Sequence, residues 1–435
     1  MTGLILTGMV IALLLGFPIF LCVLIAAISL VVFEVGLPHV ILHQVMFDSV
    51  NKGSFLALPF FVFAGDMMSR GGVSERLLNW VMLVMGGARA GLGLSSISFS
   101  TIFGAISGSS TAAVATVGPL SYPKMLQSGY NHGFAAAIVI AGGGIGSLIP
   151  PSIAFILYGI VTETSIIDLF AAGIGPGLVM AVAFSVYIGL RLRLAHAAEV
   201  ASSDETPNSS LNAKFREIVR ASLGSIWAFG MIALIFVGIY GGIFSPTEAA
   251  GVSSVYAFIV STLIYREVTL RDCVDMAGRT MFLTAILFLI VSVAAFMGWL
   301  LTISGAIGTI TAAVSAMELT PWQTLLIINL LLLVVGCFLD PGSAILVLAP
   351  VLLPIAQSIG VNPTHFGVIM VMNLAIGVFT PPVGLNIFMF QSLFKIDLRA
   401  IYFELVPFIL VAFSALLLVT FVPSISLFMV EVLAR

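Results

Sequence analysis

The chain carries little charge. Only 8% of its 435 residues are Asp, Glu, Lys or Arg, and its formal net charge is −3. Soluble domains carry about a quarter charged residues, whereas this chain is 60% hydrophobic and has a mean hydropathy of +1.21. A membrane-spanning helix needs about 20 apolar residues, so the composition excludes an ordinary soluble domain and predicts an all-α, polytopic protein in a lipid bilayer. The slightly acidic balance predicts no nucleic-acid partner.

Cysteine is scarce, and the common motifs of catalysis are missing. The three cysteines, Cys22, Cys273 and Cys337, have neither metal-site spacing nor the pattern of a disulfide framework. The sequence contains no HExxH, nucleophile elbow, P-loop or Rossmann glycine pattern. We therefore predict that the protein is neither an enzyme nor an ATP-driven pump, and that it uses no cofactor.

Helix-breaking residues, in contrast, are present and repeat at a fixed spacing. Six of them recur 231 residues later without insertion or deletion: Pro119, Pro123, Gly146, Pro150, Pro151 and Pro176 return as Pro350, Pro354, Gly377, Pro381, Pro382 and Pro407. In lipid, broken helices persist only where protein groups or a water-filled cavity satisfy the freed backbone. Paired breaks in two halves point to the binding site of a transporter, so the pattern predicts a secondary transporter built from two related halves.

The apolar and polar segments divide the chain into four predicted parts. These are a first repeat over 1–190, a polar cytoplasmic linker over 191–221, an extra helix over 222–244 and a second repeat over 245–435. The first repeat has predicted helices over 4–33 and 55–69, a broken segment over 92–125, an interrupted helix over 132–160 and a helix over 166–190. The second has helices over 248–265 and 280–303, a broken segment over 321–358, an interrupted helix over 364–394 and a final helix over 400–432.

The basic residues predict the topology. The extra helix should invert the second repeat relative to the first, and short cytoplasmic loops carry excess Lys and Arg. With the linker in the cytoplasm, 14 of the 16 basic residues lie on that side, and only Lys52 and Arg435 lie outside. This holds if each broken segment is a re-entrant hairpin of two half-length helices meeting at a tip. The first hairpin then enters from the cytoplasm and the second from the opposite side. The N-terminus is predicted to be cytoplasmic and the C-terminus to lie across the membrane.

The predicted hairpin tips and helix breaks are rich in oxygen ligands. The first tip is Ser107-Gly108-Ser109-Ser110-Thr111, and the break over 142–152 frees several backbone carbonyls. Hydroxyls and unwound carbonyls are the ligands that bind Na⁺ inside membranes. Asp340 in the second tip is the only acid between Glu318 and Asp397, and an acid near mid-membrane costs at least a few kcal/mol on insertion scales. Either it simply caps the helix that begins at Pro341, or it also couples transport to a cation or a proton.

Neither tip and neither break contains Arg or Lys. An anionic substrate would then be held by the positive ends of the half-helices that follow Pro151 and Pro382. Hydroxyl or amide donors would assist, with Ser110, Ser152, Ser343 and Asn386 as candidates. Asp66 is predicted to pair locally with Arg70 near the cytoplasmic end of its helix.

At these segments the chain resembles the large membrane subunit of tripartite ATP-independent periplasmic (TRAP) transporters. The matching segments are LPFFVFAGDMM (58–68), FGAISGSSTAAVATVGPLSYPKM (103–125), AGGGIGSLIPPSIAFILYG (141–159), FSPTEAAGVSSVYA (244–257), FLDPGSAILVLAPVLLPI (338–355) and GVFTPPVGLNIF (377–388). The linker over 195–220 does not align with that pattern. The resemblance implies an elevator-type transporter in the bacterial inner membrane, similar to the ion-transporter superfamily, that imports an organic acid such as a C4-dicarboxylate or sialic acid by Na⁺ symport.

The resemblance also implies partners and a site. A periplasmic substrate-binding protein (P) would deliver substrate. A small four-helix membrane subunit (Q) would be a separate chain, because no extra helices precede Met1. One Na⁺ site would use Ser107, Gly108, Ser109 and Ser110 with Gly143, Gly146, Ser147 and Pro150. The other would use Asp340, Gly342 and Ser343 with Gly377, Thr380, Pro381 and Val383. Substrate would lie between the tips, near Ser110, Thr111, Ser152, Asp340, Ser343 and Asn386.

Other functions stay open on the sequence alone. A stand-alone sodium/carboxylate symporter with similar hairpins would need no binding protein. A channel would need neither the repeat nor opposed hairpins. Protons could replace Na⁺ at sites built from hydroxyls, carbonyls and one acid.

Overall fold

The computed structural model describes residues 2–14, 17–35, 39–85, 89–199 and 211–433, and the regular elements within those ranges are all helical. The first half contains α1 (Thr2–Leu14), α2 (Ile19–Leu30), α3 (His39–Val50), α4 (Ala57–Arg70), α5 (Val73–Met85), α6 (Arg89–Ser107), α7 (Ser110–Gln127), α8 (His132–Ile145), α9 (Ile153–Thr162) and α10 (Ile166–Glu199). Two helices lie between the halves, α11 (Leu211–Gly224) and α12 (Ile226–Tyr240). The second half contains α13 (Pro246–Phe258), α14 (Leu270–Ile303), α15 (Ala306–Ala316), α16 (Pro321–Phe338), α17 (Pro341–Ser358), α18 (Pro363–Gly377), α19 (Leu385–Phe394), α20 (Leu398–Phe421) and α21 (Ser424–Leu433).

Helices α6 and α7 form the first hairpin. Gly93, near the start of α6, donates its backbone N–H to the hydroxyl of Tyr130, just beyond the end of α7, at 3.1 Å. The two outer ends of the hairpin therefore lie together. Its tip, between Ser107 and Ser110, lies beside the first break, because a Cβ on Gly104 would be 2.7 Å from the Cα of Gly146.

Helices α16 and α17 form the second hairpin. The side chain of Asn373 in α18 donates to that of Asn329 in α16 at 2.7 Å, and farther along the same two helices Gly336 packs against Gly377. Helices α16 and α18 thus run parallel. A short loop over 359–362 joins the end of α17 to the start of α18, so α17 must run back alongside α16.

The interrupted helices show that the two hairpins enter from opposite ends of the molecule. The Tyr158 hydroxyl, in α9 after the first break, donates to the Pro363 carbonyl at the start of α18 at 2.9 Å. Phe394, at the end of α19 after the second break, packs against Tyr122 near the outer end of α7 with ring centroids 4.7 Å apart. We call the end of the molecule where the outer ends of the first hairpin lie the first-hairpin end. The opposite end, where the outer ends of the second hairpin lie, is the second-hairpin end. This arrangement confirms the predicted inverted repeat with two hairpins and two interrupted helices.

The hairpin arms are longer than the half-length helices predicted from the sequence. The arms have 19 and 18 residues in the first hairpin and 18 in each arm of the second. At 1.5 Å per residue an 18-residue helix is about 27 Å long. The half-length helices are instead those flanking the breaks, with 14 and 10 residues in the first half and 15 and 10 in the second.

Several predicted helix limits are wrong. The single helix over 4–33 is divided into α1 and α2, and Pro18 lies at the start of α2, where a missing N–H does no harm. The final helix over 400–432 is divided at Val422 and Pro423 into α20 and α21. Helix α10 continues nine residues past 190, and α11 occupies the end of the predicted linker. Residues 200–210 of that linker and Arg435 lie outside the described ranges, and the four-part division stays a prediction.

Within the described ranges, six helices are long and apolar enough to cross a membrane alone: those over 166–194, 246–264, 270–303, 321–338, 341–358 and 398–421. The basic residues sort along the same axis. Lys124 bonds Asn79 at 3.3 Å and lies at the first-hairpin end, whereas Lys52 pairs with Glu163, at the end of α9, at 3.0 Å. Which end faces the cytoplasm stays a prediction.

Candidate functional site

The two hairpin tips meet at two adjoining cavities. A cavity of about 170 Å³ is lined by Gly108, Ser109, Ser110, Thr111 and Ser147 from the first half and by Asp340, Pro341, Gly342, Val378 and Leu385 from the second. A larger cavity of about 710 Å³ shares Ser109, Thr111 and Asp340 with it and adds Ser107 and Ser343. Small-molecule sites commonly enclose about 300–1,000 Å³. The tertiary structure therefore gathers the predicted tip residues at one place of suitable size.

Gly108 makes the turn of the first tip. Its φ is +61°, a left-handed conformation that a residue with a side chain rarely adopts. A Cβ there would lie 2.2 Å from the Pro151 carbonyl oxygen, because the tip lies directly against the first break. The Ile153 N–H donates to the Gly108 carbonyl at 3.3 Å and joins the two segments.

The hydroxyls of the first tip have different roles. Ser109 caps α7 by accepting from the Ala112 N–H at 3.4 Å. Ser110 exchanges hydrogen bonds with the Asn386 amide across the two halves, at 2.8 and 3.1 Å. The Ser107 hydroxyl is buried and has no hydrogen-bond partner among the described residues. Buried hydroxyls usually have a hydrogen-bond partner, so this one is a candidate ligand for an ion.

The first break brings carbonyl oxygens close to that tip. A Cβ on Gly146 would lie 3.1 Å from the Gly143 oxygen and 3.3 Å from the Ser109 oxygen. The Ser147 hydroxyl donates to the Gly144 carbonyl at 3.0 Å. Pro150 lies in the same break and is buried. The structure thus brings the Gly143 and Ser109 carbonyl oxygens together at Gly146, and the Na⁺ site itself stays a prediction.

Asp340 lies in the second tip, where its position is compatible with capping α17 alone and with also binding a cation or a proton. Its carboxylate accepts from the Ser343 N–H at 3.0 Å and from the Ser343 hydroxyl at 2.5 Å, so it caps α17. It also lines both cavities. Capping uses only part of the carboxylate's hydrogen-bonding capacity, and the cavity face stays available to a cation or substrate.

The second break turns at Gly384, whose φ is +60°. A Cβ there would lie 3.1 Å from each of the Val378 and Thr380 carbonyl oxygens. Pro381 and Val383 lie between these residues and are half-buried. Gly377 packs against the backbone of Gly336 and positions the break against α16.

Two predicted substrate donors, Ser152 and Asn386, line neither cavity and are fully buried. Ser152 caps α9 by accepting from the Phe155 N–H and donates to the Ser147 carbonyl. The Asn386 amide is engaged by Ser110 and by the Ile140 carbonyl, at 3.1 Å. In this arrangement both residues hold the breaks together, and a direct substrate role for either stays a prediction.

The tertiary structure adds three charged residues to the larger cavity that the breaks did not reveal. Asp66 and Arg70 of α4 line it and pair at 3.0 Å, as the sequence predicted for their contact. Arg279 of α14 lines it as well. The available signal for Arg279 was a basic residue ten positions into a helix that continues as a long apolar run. Within the described ranges, no group of three or more His, Cys, Asp or Glu residues could hold a metal ion.

Comparisons with known proteins identify a family of membrane transport proteins. Residues 6–425 match the family model described as "Tripartite ATP-independent periplasmic transporter, DctM component". The chain is 37% identical over 382 residues to the C4-dicarboxylate TRAP transporter large permease protein DctM of Pseudomonas aeruginosa, covering 88% of this chain and 87% of that protein. It is 36% identical over 423 residues to the ectoine/5-hydroxyectoine TRAP transporter large permease protein UehC of Ruegeria pomeroyi, covering 97% and 96%. The solved structure of the Alcanivorax borkumensis YdaH transporter matches with a TM-score of 0.63 at 13% identity, covering 88% of this chain and 87% of that one, which is a likeness of fold alone.

Proposed function

This chain belongs to the DctM component family of tripartite ATP-independent periplasmic transporters, and we propose that, as the large permease subunit, it imports an organic acid by symport with Na⁺. A periplasmic binding protein delivers the substrate, and a small membrane subunit completes the complex in the bacterial inner membrane. The main observation behind the proposal is that the two hairpin tips, which enter from opposite ends and each begin a capped helix, line the same cavities.

The helix ends at the tips suit an anionic substrate. The first residues of α7, Ser110 and Thr111, and those of α17, Pro341 and Gly342, line the smaller cavity together. Helix N-termini carry unpaired N–H groups and the positive end of the dipole, which favour anions. Two such ends facing one cavity support recognition of a carboxylate, a group present in the dicarboxylates and ectoines after which the two relatives are named.

The first Na⁺ site is supported by the orphaned Ser107 hydroxyl and the nearby carbonyls of Ser109 and Gly143. These are neutral oxygen ligands of the kind that coordinate Na⁺ in discontinuous membrane helices. Binding of Na⁺ there would satisfy the buried hydroxyl and would fix the tip against the break.

The second Na⁺ site is supported by Asp340 and by the carbonyls of Val378 and Thr380 around Gly384. An unneutralised carboxylate beside an anionic substrate would repel it. Na⁺ near Asp340 removes that repulsion and orders the tip, so the substrate binds more tightly when Na⁺ is bound. This charge balance is the proposed physical origin of coupling.

Transport would proceed by an elevator motion in which the hairpins and interrupted helices move as a unit against α4 and α14. The hydrogen bond between Ser69 of α4 and Thr116 of α7, at 2.8 Å, marks one contact between the two groups. Cysteines at these two positions, in a background without native cysteines, should form a disulfide that stops uptake until a reductant is added. Full uptake with the disulfide intact would rule out relative movement at this contact.

Reconstituted transport tests the proposed function. The proteoliposomes contain this chain and its small subunit, and binding protein loaded with substrate is added outside. The substrate should enter only when a Na⁺ gradient is present. The control replaces that gradient with a proton gradient, which should support no uptake. Uptake without any binding protein would favour the stand-alone symporter instead.

A further inference from the structure

The larger cavity is lined by one arginine side chain that has no ion-pair partner among the described residues. Four ionisable residues line it, and two of these, Asp66 and Arg70, pair with each other at 3.0 Å. Asp340 caps α17 and forms no ion pair with any residue in the described ranges. The Arg279 side chain has no hydrogen bond, ion pair or ring contact with any residue in the described ranges.

Arg279 lies on the side of the tips that faces the first-hairpin end. On α4, Gly65 contacts Ser107 of the tip, whereas Ser69 bonds Thr116, six residues down α7. Arg70 therefore lies beyond the tip toward the first-hairpin end. Glu267, just before α14, pairs with Arg76 of α5 at 2.7 Å, so α14 begins at that end and Arg279 lies nearer to it than Leu287 does.

One face of α14 connects Arg279 to the tips. The lining residues of that helix are Arg279, Thr280, Leu283, Ile286, Leu287 and Ile290, which share a face at helical spacing. Leu287 also lines the smaller cavity beside Asp340 and Gly342. Eight residues of helix separate Leu287 from Arg279, or about 12 Å along the axis. Arg279 is the only charged residue among those that line the cavity from α14.

We propose that Arg279 is an anion-attracting residue on the path between the hairpin tips and the first-hairpin end, where it pairs transiently with the carboxylate of the passing substrate. The inference rests on the proposed function for the identity of its cargo. Arginine suits this role because its planar guanidinium binds a carboxylate with two hydrogen bonds and stays charged at any physiological pH. The side chain is exposed, and ion pairs at exposed positions are weak enough for release.

Charged thiol reagents test the proposal without knowledge of the substrate. Cys22, Cys273 and Cys337 are replaced by Ala, and Ala112→Cys, whose position lines the larger cavity near the tips, serves as the reporter. The purified complex with its small subunit is labelled with an anionic sulfonatoethyl and a cationic trimethylammonioethyl methanethiosulfonate. Adding Arg279→Gln should lower the ratio of anionic to cationic labelling rates about fourfold at low ionic strength. The effect should largely disappear at about 0.5 M salt, where screening is strong.

Matched variants make the result decisive. Arg279→Lys should keep the original ratio, and Arg271→Gln, a charge removal at an exposed position of the same helix that does not line the cavity, should leave it unchanged. An unchanged ratio in Arg279→Gln, or an equal change in Arg271→Gln, would overturn the inference. Because labelling needs no transport, that result would leave the sodium-coupled import to be decided by its own uptake assay.

Discussion

The two hairpin tips have the same backbone design and different charge. Ser109 and Asp340 are 231 residues apart, and each caps the second arm of its hairpin by accepting the N–H of the residue three positions later. The first cap is a neutral hydroxyl in a group of hydroxyls, and the second is a carboxylate. The repeat therefore keeps the geometry of the tip while placing a charged cap at the second tip only. An ion bound at the first tip needs only dipoles, whereas an ion at the second also neutralises an acid.

The largest expected effect comes from removing that charge while keeping the cap. Asn caps a helix about as well as Asp, so Asp340→Asn should fold but lose the electrostatic partner of the cation. Removing one member of a buried charge pair typically costs about 2–5 kcal/mol, so Na⁺-driven uptake should fall about 30-fold or more. Uptake in proteoliposomes at varied Na⁺ concentration measures the loss.

Ser109→Asn is the matched control, since it changes the equivalent cap without removing a charge. It should retain most of the activity. Equal losses in the two variants would show that both tips act only through their shape.

The next effect concerns the turn of the first tip. Gly108→Ala places a side chain at φ +61° and a Cβ 2.2 Å from the Pro151 oxygen. We expect about 2–5 kcal/mol of destabilisation, from left-handed strain and overpacking together. Gly360→Ala has comparable strain at φ +85° but nothing within 4 Å, so it should cost only about 1–2 kcal/mol. Thermal unfolding in detergent compares the two, and equal shifts would contradict the close contact between tip and break.

A smaller effect tests the neutral ion site. Ser107→Ala removes one oxygen ligand, and a hydrogen-bond-like contact to a charge is worth about 1.5–3 kcal/mol. The Na⁺ concentration for half-maximal uptake should rise about tenfold or more, with the maximal rate less affected. Ser121→Ala provides the control, because its hydroxyl is also buried without a partner in the described part of the chain but lies away from the tip. A similar rise in both variants would argue against Na⁺ at Ser107.

The smallest expected effect comes from the hydrogen bonds that hold each break in place. In the first break the Ser152 side chain donates to the Ser147 carbonyl of the same break. In the second break the backbone N–H groups of Gly384 and Asn386 donate to the carbonyls of Cys337 and Val378. Ser152→Ala should lower stability by about 1–2 kcal/mol through loss of the cap and leave the apparent affinity for substrate unchanged. A raised KM for uptake with unchanged thermal stability would instead support the direct substrate role predicted from the sequence.

Much of the fold could be predicted because helix breaks leave a local chemical record. Proline cannot donate to a helix, and adjacent prolines or clustered glycines mark a break wherever they occur in apolar sequence. The recurrence from Pro150 to Pro381 therefore revealed the repeat without knowledge of any contact. Helix ends were harder to predict, as α1 and α2 show, because a single Pro18 within an apolar run is compatible with either a kink or a break.

The site could be predicted only in part. Ser109 and Asp340 were found because each lies at a break. Arg279 was missed because nothing in its local sequence relates it to residue 340. The engagement of Asn386 by Ser110 was also invisible, since it joins residues 276 positions apart.

The amino-acid sequence is enough to predict a helical membrane protein. It also predicts the positions of the helix breaks and the oxygen-bearing side chains that lie at them. These are properties of local composition and backbone chemistry. Packing in three dimensions determines which hydroxyls cap helices and that the Ser107 hydroxyl at the tip has no partner among the described residues. It also brings the Arg279 side chain of α14 to the larger cavity. The reason is that hydrogen bonding and charge compensation depend on distances between segments, and packing sets those distances.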